Sequence, residues 1–392
     1  MSKFVSNNGK YMSGGNKKND GGKKPGKKKK VLLTVIIILV LILALIIGGI
    51  AIFWNSMLNM LGDSKETTPN TLSSEEQEEL LAMLGTTAPP ETVDATDETV
   101  ETSPEDTWPV IVSNENVTNI MLIGQNYRED EAHKLSDTMI LCSINRETKT
   151  LTMVSFLRDM YVQFPPYRSL GWGGNRINVP YNLGWKQFGT TEDGMKYLAS
   201  VIEFNFGIPI DHTIEVNFDA FVQIIDALGG VEIELTEAEA DHMTNDLFDV
   251  GTFEPGLQTL DGNAALTYAR IRKIDSDVAR TGRQRNVISS LINSVKDAGL
   301  MDLYKMATSV LPMIVTDMSN TEITNYIFEF LPMLKDLNMV SLTCPVDNDI
   351  LPGSSWPETI DLGGYSASVI KCNTWSNMKY LTEALGLVEE EE

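Results

Sequence analysis

The chain has 392 residues, 31 basic against 54 acidic side chains, and a formal net charge of -23. That balance excludes a general nucleic-acid binder, and three cysteines exclude a disulfide-rich scaffold. The scattered histidines His133, His212 and His242 and the absence of CxxC spacing exclude a zinc site; no P-loop or GxSxG is present.

The charge is partitioned along the chain. Residues 1–30 hold ten lysines and one acid, Asp20, and read as a cytoplasmic tail. Val31–Phe53 follows as 23 uncharged, mostly aliphatic residues closed by Trp54. That length crosses a hydrocarbon core, and the flanking KKPGKKKK orients it by the positive-inside rule. Residues 31–54 are therefore predicted to be a retained signal-anchor helix, with everything after them outside the cell. Residues 55–108 read as an acidic tether rich in Thr, Ser, Pro and Glu, unable to bury enough apolar surface to fold; Ser74–Leu84 is a possible short helix within it.

From residue 109 the pattern turns globular. Strands are predicted at Val117–Ile123, Thr138–Ile144 and Leu151–Ser155, then a helix at Gly194–Phe204 and a strand at Thr213–Val216. A helix over Phe218–Leu228 should stop at Gly229-Gly230, before a strand at Val231–Leu235. Later helices are expected at Gly262–Tyr268, Arg280–Lys296, Leu303–Ile314, Thr321–Leu334 and Ser376–Leu385, with strands at Met339–Thr343 and Ser366–Ile370. Alternation of this kind predicts an α/β fold with a mixed central sheet in an α–β–α arrangement. Residues 109–300 are read as the main part of the globular domain, and 301–392 as helices and strands completing or extending it. Cys142 reads as a core thiol, while Cys344 and Cys372 are candidates for a disulfide in an oxidising compartment.

The most informative stretch is Leu260–Arg285, LDGNAALTYARIRKIDSDVARTGRQR. It gathers Arg270, Arg272, Lys273, Arg280, Arg283 and Arg285 inside an acidic chain, as a polyanion site does; the guanidinium fork matches phosphate oxygens in pairs. Asp261 should cap a helix from Gly262 to about Tyr268. If the chain then extends, Arg270 and Arg272 share a face and Ile271 packs on the other. Arg280, Arg283 and Gln284 lie three and four residues apart, on or near one helix face. Surface salt bridges to Asp275 and Asp277 are the competing reading of the cluster. Arg158 and Asp159 end the strand SFLRD, Arg176 opens RINVPYN, and Asp137 precedes a strand in LSDT. Asp159 reads as a base or as the residue that holds Arg158.

The ordered motifs NIMLIGQNYR, LSDTMIL, SFLRDMYV, RINVPYN, FVQIIDALGGVEI, LDGNAALTYARIR and DVARTGRQR resemble the LytR-CpsA-Psr family from about Asn119 to Arg285. The resemblance implies a hydrophobic tunnel for a polyprenyl chain. It also implies an enzyme, a phosphotransferase that moves a glycopolymer such as teichoic acid or capsule from a polyprenyl-pyrophosphate carrier to peptidoglycan, forming a phosphodiester at a bacterial membrane. By matching motif, Arg128, Arg158, Arg176, Arg270, Arg272, Arg280 and Gln284 would bind the pyrophosphate. Arg158, Arg270, Arg272 and Asp137 would carry catalysis. Asp137, with Asn126, would hold Mg2+ or Mn2+. Implied partners are the lipid-linked polymer, peptidoglycan and membrane lipid, with no nucleic acid. Two departures are visible: Asn126 stands where the family has an aspartate, and Leu135 where it has an arginine. They leave open a lipid-carrier-binding regulator or scaffold, and a polyprenyl pyrophosphatase using the same site.

Overall fold

The computed structural model describes residues 111–125, 135–245, 251–296, 310–362 and 366–387. The expected lysine-rich tail, anchor helix and tether lie outside these residues. Among the described residues no helix is long and apolar enough to cross a membrane.

A six-stranded sheet forms the centre, in the order β10-β3-β2-β1-β6-β9. Its strands are β1 (Val117–Gln125), β2 (Ser136–Asn145), β3 (Thr150–Phe156), β6 (His212–Asn217), β9 (Val315–Thr316) and β10 (Asn338–Cys344). β1–β2 and β2–β3 pair antiparallel, whereas β1–β6 and β3–β10 pair parallel. The sheet is therefore mixed, as the alternation in the sequence predicts. This topology brings the carboxyl ends of β1, β3 and β6 and the amino end of β2 to one edge.

Each sheet face is apolar, so each needs a helical layer. Met121, Met139, Leu141 and Val154 pack on one face against helix α2 (Thr191–Phe206) and helix α8 (Thr374–Ala384). Helix α1 (Pro180–Phe188) lies beside α2. Ile140, Leu151 and Met153 on the other face meet Ile288 and Ile292 of helix α6 (Asp277–Lys296). A second core on that side joins Ile225 of helix α3 (Phe218–Ala227), the hairpin β7 (Val231–Leu235) and β8 (Gly256–Leu260), helix α4 (Glu237–Asn245), and Tyr268 of helix α5 (Gly262–Ala269). The helices start where cap chemistry says they should. The side chains of Thr190, Asn217, Asp261 and Asn373 each accept a hydrogen bond from a backbone N–H in the first turn.

Two expectations need correction. The helix expected at Leu303–Ile314 has residues 303–309 outside the description; Leu311–Met313 is a 3-10 turn and Ile314 is extended. Pro312 interrupts the α-helical pattern and the chain turns into β9. The Cys344–Cys372 disulfide is also not formed, as both are free thiols. Burial pushes the Cys372 thiol up to about 11 and that of Cys142 to about 12, and raises Cys344 well above the usual thiol range. The helix expected over Thr321–Leu334 is α7 (Asn320–Phe330) followed by a 3-10 turn.

Candidate anion site at the mouth of an apolar cavity

A cavity of about 540 Å3 lies between the sheet and the helices α3, α5 and α6. Its floor is Leu122 of β1, Ile140 of β2 and Ile214 and Val216 of β6. Its roof is Phe221 and Ile224 of α3, Leu266 of α5 and Ile288 and Leu291 of α6. α3 and α5 approach closely because Gly262 has no side chain; a Cβ there would sit 2.3 Å from the Val222 carbonyl oxygen. The Gly262 N–H also donates to Asp226 Oδ1 at 2.7 Å.

The apolar lining gives way to charge where Asp137, Arg270, Arg272, Arg280 and Gln284 reach the cavity. After α5 the burial runs exposed, buried, exposed over Arg270, Ile271 and Arg272, so both guanidinium groups stand on one side while Ile271 joins the core. Arg270 lies over the ring of Phe218 at 4.7 Å. Arg272 Nη2 is 3.7 Å from Asp137 Oδ1. Arg158 Nη1 donates to the same carboxylate oxygen at 3.0 Å, so one carboxylate aligns two cations from different elements.

Arg280 is the most constrained cation. It is 2% exposed and its Nη2 is 2.9 Å from the Asp277 carboxylate, one helical turn away, while its Nε has no partner. Burial lowers its pKa; Asp277 opposes this, and the nearby charges of Arg272 and Arg158 add to it. A cation so placed, only partly compensated by Asp277, can accept a further anionic partner at the cavity mouth. The buried side-chain oxygen of Gln284 likewise has no hydrogen-bond partner. At Arg158 burial also disfavours the charge, but the Asp137 hydrogen bond and the charges of Asp159 and Asp137 outweigh it, and its pKa is raised.

The arginine cluster of the sequence therefore divides. Arg283, expected on or near the face of Arg280 and Gln284, turns away and binds Glu239 Oε1 at 2.6 Å, the Asp275 carboxylate and the Ile271 carbonyl oxygen. The structural salt-bridge reading holds for this residue. Arg285 reaches across to Ser155 Oγ at 2.5 Å. Arg283→Met strands the buried Glu239 carboxylate and is expected to cost about 3 kcal/mol of stability. Thermal and urea unfolding measure it; an unchanged midpoint would refute the structural assignment.

Arg176 does not line the cavity. Its Nε is 3.4 Å from Asp159, whose other oxygen is 3.5 Å from Arg158 Nε, so Asp159 lies between two arginines. Arg128 and Asn126 lie outside the described residues. The ring of Phe218 under Arg270 was not legible in the sequence, whereas the Arg280–Asp277 pair follows the i, i+3 spacing and is one of the salt bridges expected there.

A sequence model of the LytR_cpsA_psr family matches residues 83–361. Among curated proteins, the chain is similar to a polyisoprenyl-teichoic acid–peptidoglycan teichoic acid transferase TagU of Oceanobacillus iheyensis. The two are 35% identical over 221 residues, 53% of this chain and 62% of that protein. It is 30% identical to the protein of the same name in Enterococcus faecalis over 233 residues, 58% of this chain and 69% of the relative. The chain thus spans a little under two thirds of the first relative. The fold is similar to that of Bacillus subtilis TagT, with TM-score 0.51 at 22% identity, covering 74% of this chain and 95% of the other. A structure of TagT bound to LI-WTA matches at TM-score 0.53 and 23% identity, covering 69% and 92%.

Proposed function

The chain belongs to the LytR-CpsA-Psr family, and from that premise we propose that it is a phosphotransferase moving a glycopolymer from a polyprenyl-pyrophosphate carrier to peptidoglycan. One observation carries the reading: an apolar cavity whose mouth holds Arg270, Arg272 and Arg280, the last buried and short of negative charge. An aliphatic chain with an anionic head matches that division of chemistry. The names of the TagU and TagT relatives, transferases of teichoic acid to peptidoglycan, support the same substrates. Val31–Phe53 then serves as the membrane anchor, and the residues after it lie outside the cell.

In this reading the cavity is the polyprenyl tunnel. Arg270, Arg272 and Arg280 hold the lipid-side phosphate and stabilise the charge that develops on it as the phosphoanhydride bond breaks. Arg158 holds the phosphate that stays with the polymer. A hydroxyl of the wall glycan attacks that phosphorus and forms a new P–O bond as the phosphoanhydride P–O bond breaks; polyprenyl phosphate leaves with the bonding electrons, and the hydroxyl proton passes to solvent. Phosphoryl transfer needs positioning and charge neutralisation more than covalent participation by the protein, and preset guanidinium groups provide both. Asp137 aligns Arg158 and Arg272 before substrate arrives.

Mg2+ or Mn2+ fits this site through Asp137, a hard oxygen donor at the cavity mouth. Among the described residues no group of three His, Cys, Asp or Glu gathers to hold a metal. The cation would therefore draw its remaining ligands from phosphate oxygens and water, as Mg2+ commonly does. When bound, it neutralises phosphate charge. Asn126, uncharged and outside the described residues, would complete the protein's share.

The test is transfer by the purified full chain from a polyprenyl-pyrophosphate-linked oligosaccharide to soluble peptidoglycan strands. A phosphodiester-linked product is expected. Release of sugar phosphate with water as the sole acceptor would show a pyrophosphatase instead. Chelation with EDTA is expected to stop transfer and added Mg2+ or Mn2+ to restore it; undiminished transfer in EDTA would remove the metal from the account.

A further inference from the structure

The clamp has two sides. Arg270, Arg272 and Arg280 line the cavity, whereas Arg158, Asp159 and Arg176 do not. With the lipid phosphate leaving toward the cavity, in-line displacement brings the acceptor hydroxyl from the Arg158–Arg176 side. What covers that side is a hairpin of β11 (Ser355–Asp361) and β12 (Ser366–Cys372). The family match ends at residue 361, so β12 lies beyond it.

β12 is joined to the clamp by backbone and side chain. The Ile370 N–H donates to the Asp159 carbonyl at 2.9 Å, and Arg176 Nη2 donates to the Ser368 carbonyl at 2.6 Å. Arg176 pairs across β5 (Gly173–Arg176) and β4 (Tyr161–Phe164) with Tyr161. The Tyr161 phenol lies across Gly174, where a Cβ would stand 2.3 Å from its oxygen. Lys371 Nζ sits 3.6 Å from the centre of the Tyr161 ring, and Lys371 is the register partner of Trp356. Residues directly opposite in an antiparallel pair share a face. A strip therefore runs from Arg158 and Asp159 through Arg176, Tyr161 and Lys371 to Trp356. Trp356 is 46% exposed and donates its indole N–H to Glu358 at 3.2 Å.

Resting on the transferase reading above, we propose that Trp356, Lys371 and Tyr161 form the subsite for the acceptor, a peptidoglycan glycan strand. Pyranose rings present an apolar face that stacks on an exposed indole, here oriented by its N–H bond to Glu358. Lys371 complements the carboxylates of N-acetylmuramic acid substituents. Continuity with the clamp commits the surface to the acceptor: a sugar stacked at Trp356 belongs to a strand that passes Asp159 and Arg176.

The experiment is binding without turnover, on the full chain, with soluble uncrosslinked strands of N-acetylglucosamine and N-acetylmuramic acid. A polyprenyl-pyrophosphate-linked oligosaccharide is titrated separately. Trp356→Ala is expected to weaken strand binding about tenfold, equivalent to about 1.4 kcal/mol. Trp356→Phe should retain part of the affinity, Lys371→Ala should weaken it several-fold, and donor affinity should hold in all three. Strand affinity unchanged in both alanine variants overturns the proposal. So does an equal loss toward the lipid-linked oligosaccharide, which would seat the donor's sugars at Trp356. Because strand binding is read directly, a wild type that binds strands through Trp356 yet never transfers would sink the transferase reading and leave the glycan subsite standing.

Discussion

Arg280→Ala is expected to lower transfer by roughly a hundredfold or more while leaving thermal stability unchanged or raised. Most buried-charge deletions behave otherwise, because the lost partner strands an opposite charge. Here the partner, Asp277, keeps 27% of its side chain exposed and is re-solvated, while Arg280 is 2% exposed. The pKa of Arg280 is lowered by burial and by the charges of Arg272 and Arg158, against compensation from Asp277 and, less, from Asp137. Its burial is compensated only in part in the free protein, so a phosphate at the cavity mouth is the partner expected to complete it. Transfer rates with calorimetry on the same preparation decide it. A large fall in melting temperature with transfer intact would mean that Arg280 is structural, like Arg283.

Ile214→Trp is expected to weaken polyprenyl-pyrophosphate binding by roughly a hundred- to several-hundredfold, while a short-chain pyrophosphate binds as before. Ile214 is on the cavity floor, facing the roof residues of α3 and α6 across open space. An indole there displaces at least one five-carbon unit of the lipid. At about 0.8 kcal/mol per buried CH2, the loss is about 3–4 kcal/mol. Fluorescence titration with lipids of two lengths measures it. Equal weakening for both lengths would place the lipid chain elsewhere.

The central strands were legible because each carries an unbroken apolar run or alternates, and their neighbours cover both faces. β1, β2, β3, β6, β7, β10 and β12 all lie where that pattern places them. The segments that escaped lack the pattern. α1 opens on Pro180 and carries Gly184, so its nine residues show little periodicity. β4 and β5 are four residues each and include Gly173 and Gly174. β11 is mostly exposed and contains Pro357, as an edge strand tolerates. At the site, the cation-rich segment and its strand-end partners were visible by residue type and order. Their division of labour was not. Arg283 and Arg280 differ because Glu239, 44 residues upstream, reaches the first and not the second. That contact belongs to the tertiary fold, and no local spacing encodes it. The same holds for Trp356, whose meaning depends on a register that sets it opposite Lys371, the residue whose ammonium lies over the Tyr161 ring.

The most direct measurement is a crystal structure of residues 109–392 with polyprenyl pyrophosphate bound. The aliphatic chain is expected between Leu122 and Ile214 on one side and Ile224 and Leu291 on the other. Phosphate oxygens are expected within about 3 Å of the guanidinium groups of Arg270, Arg272 and Arg280. A lipid chain lying outside this cavity, or phosphates held away from Arg280, would contradict this placement.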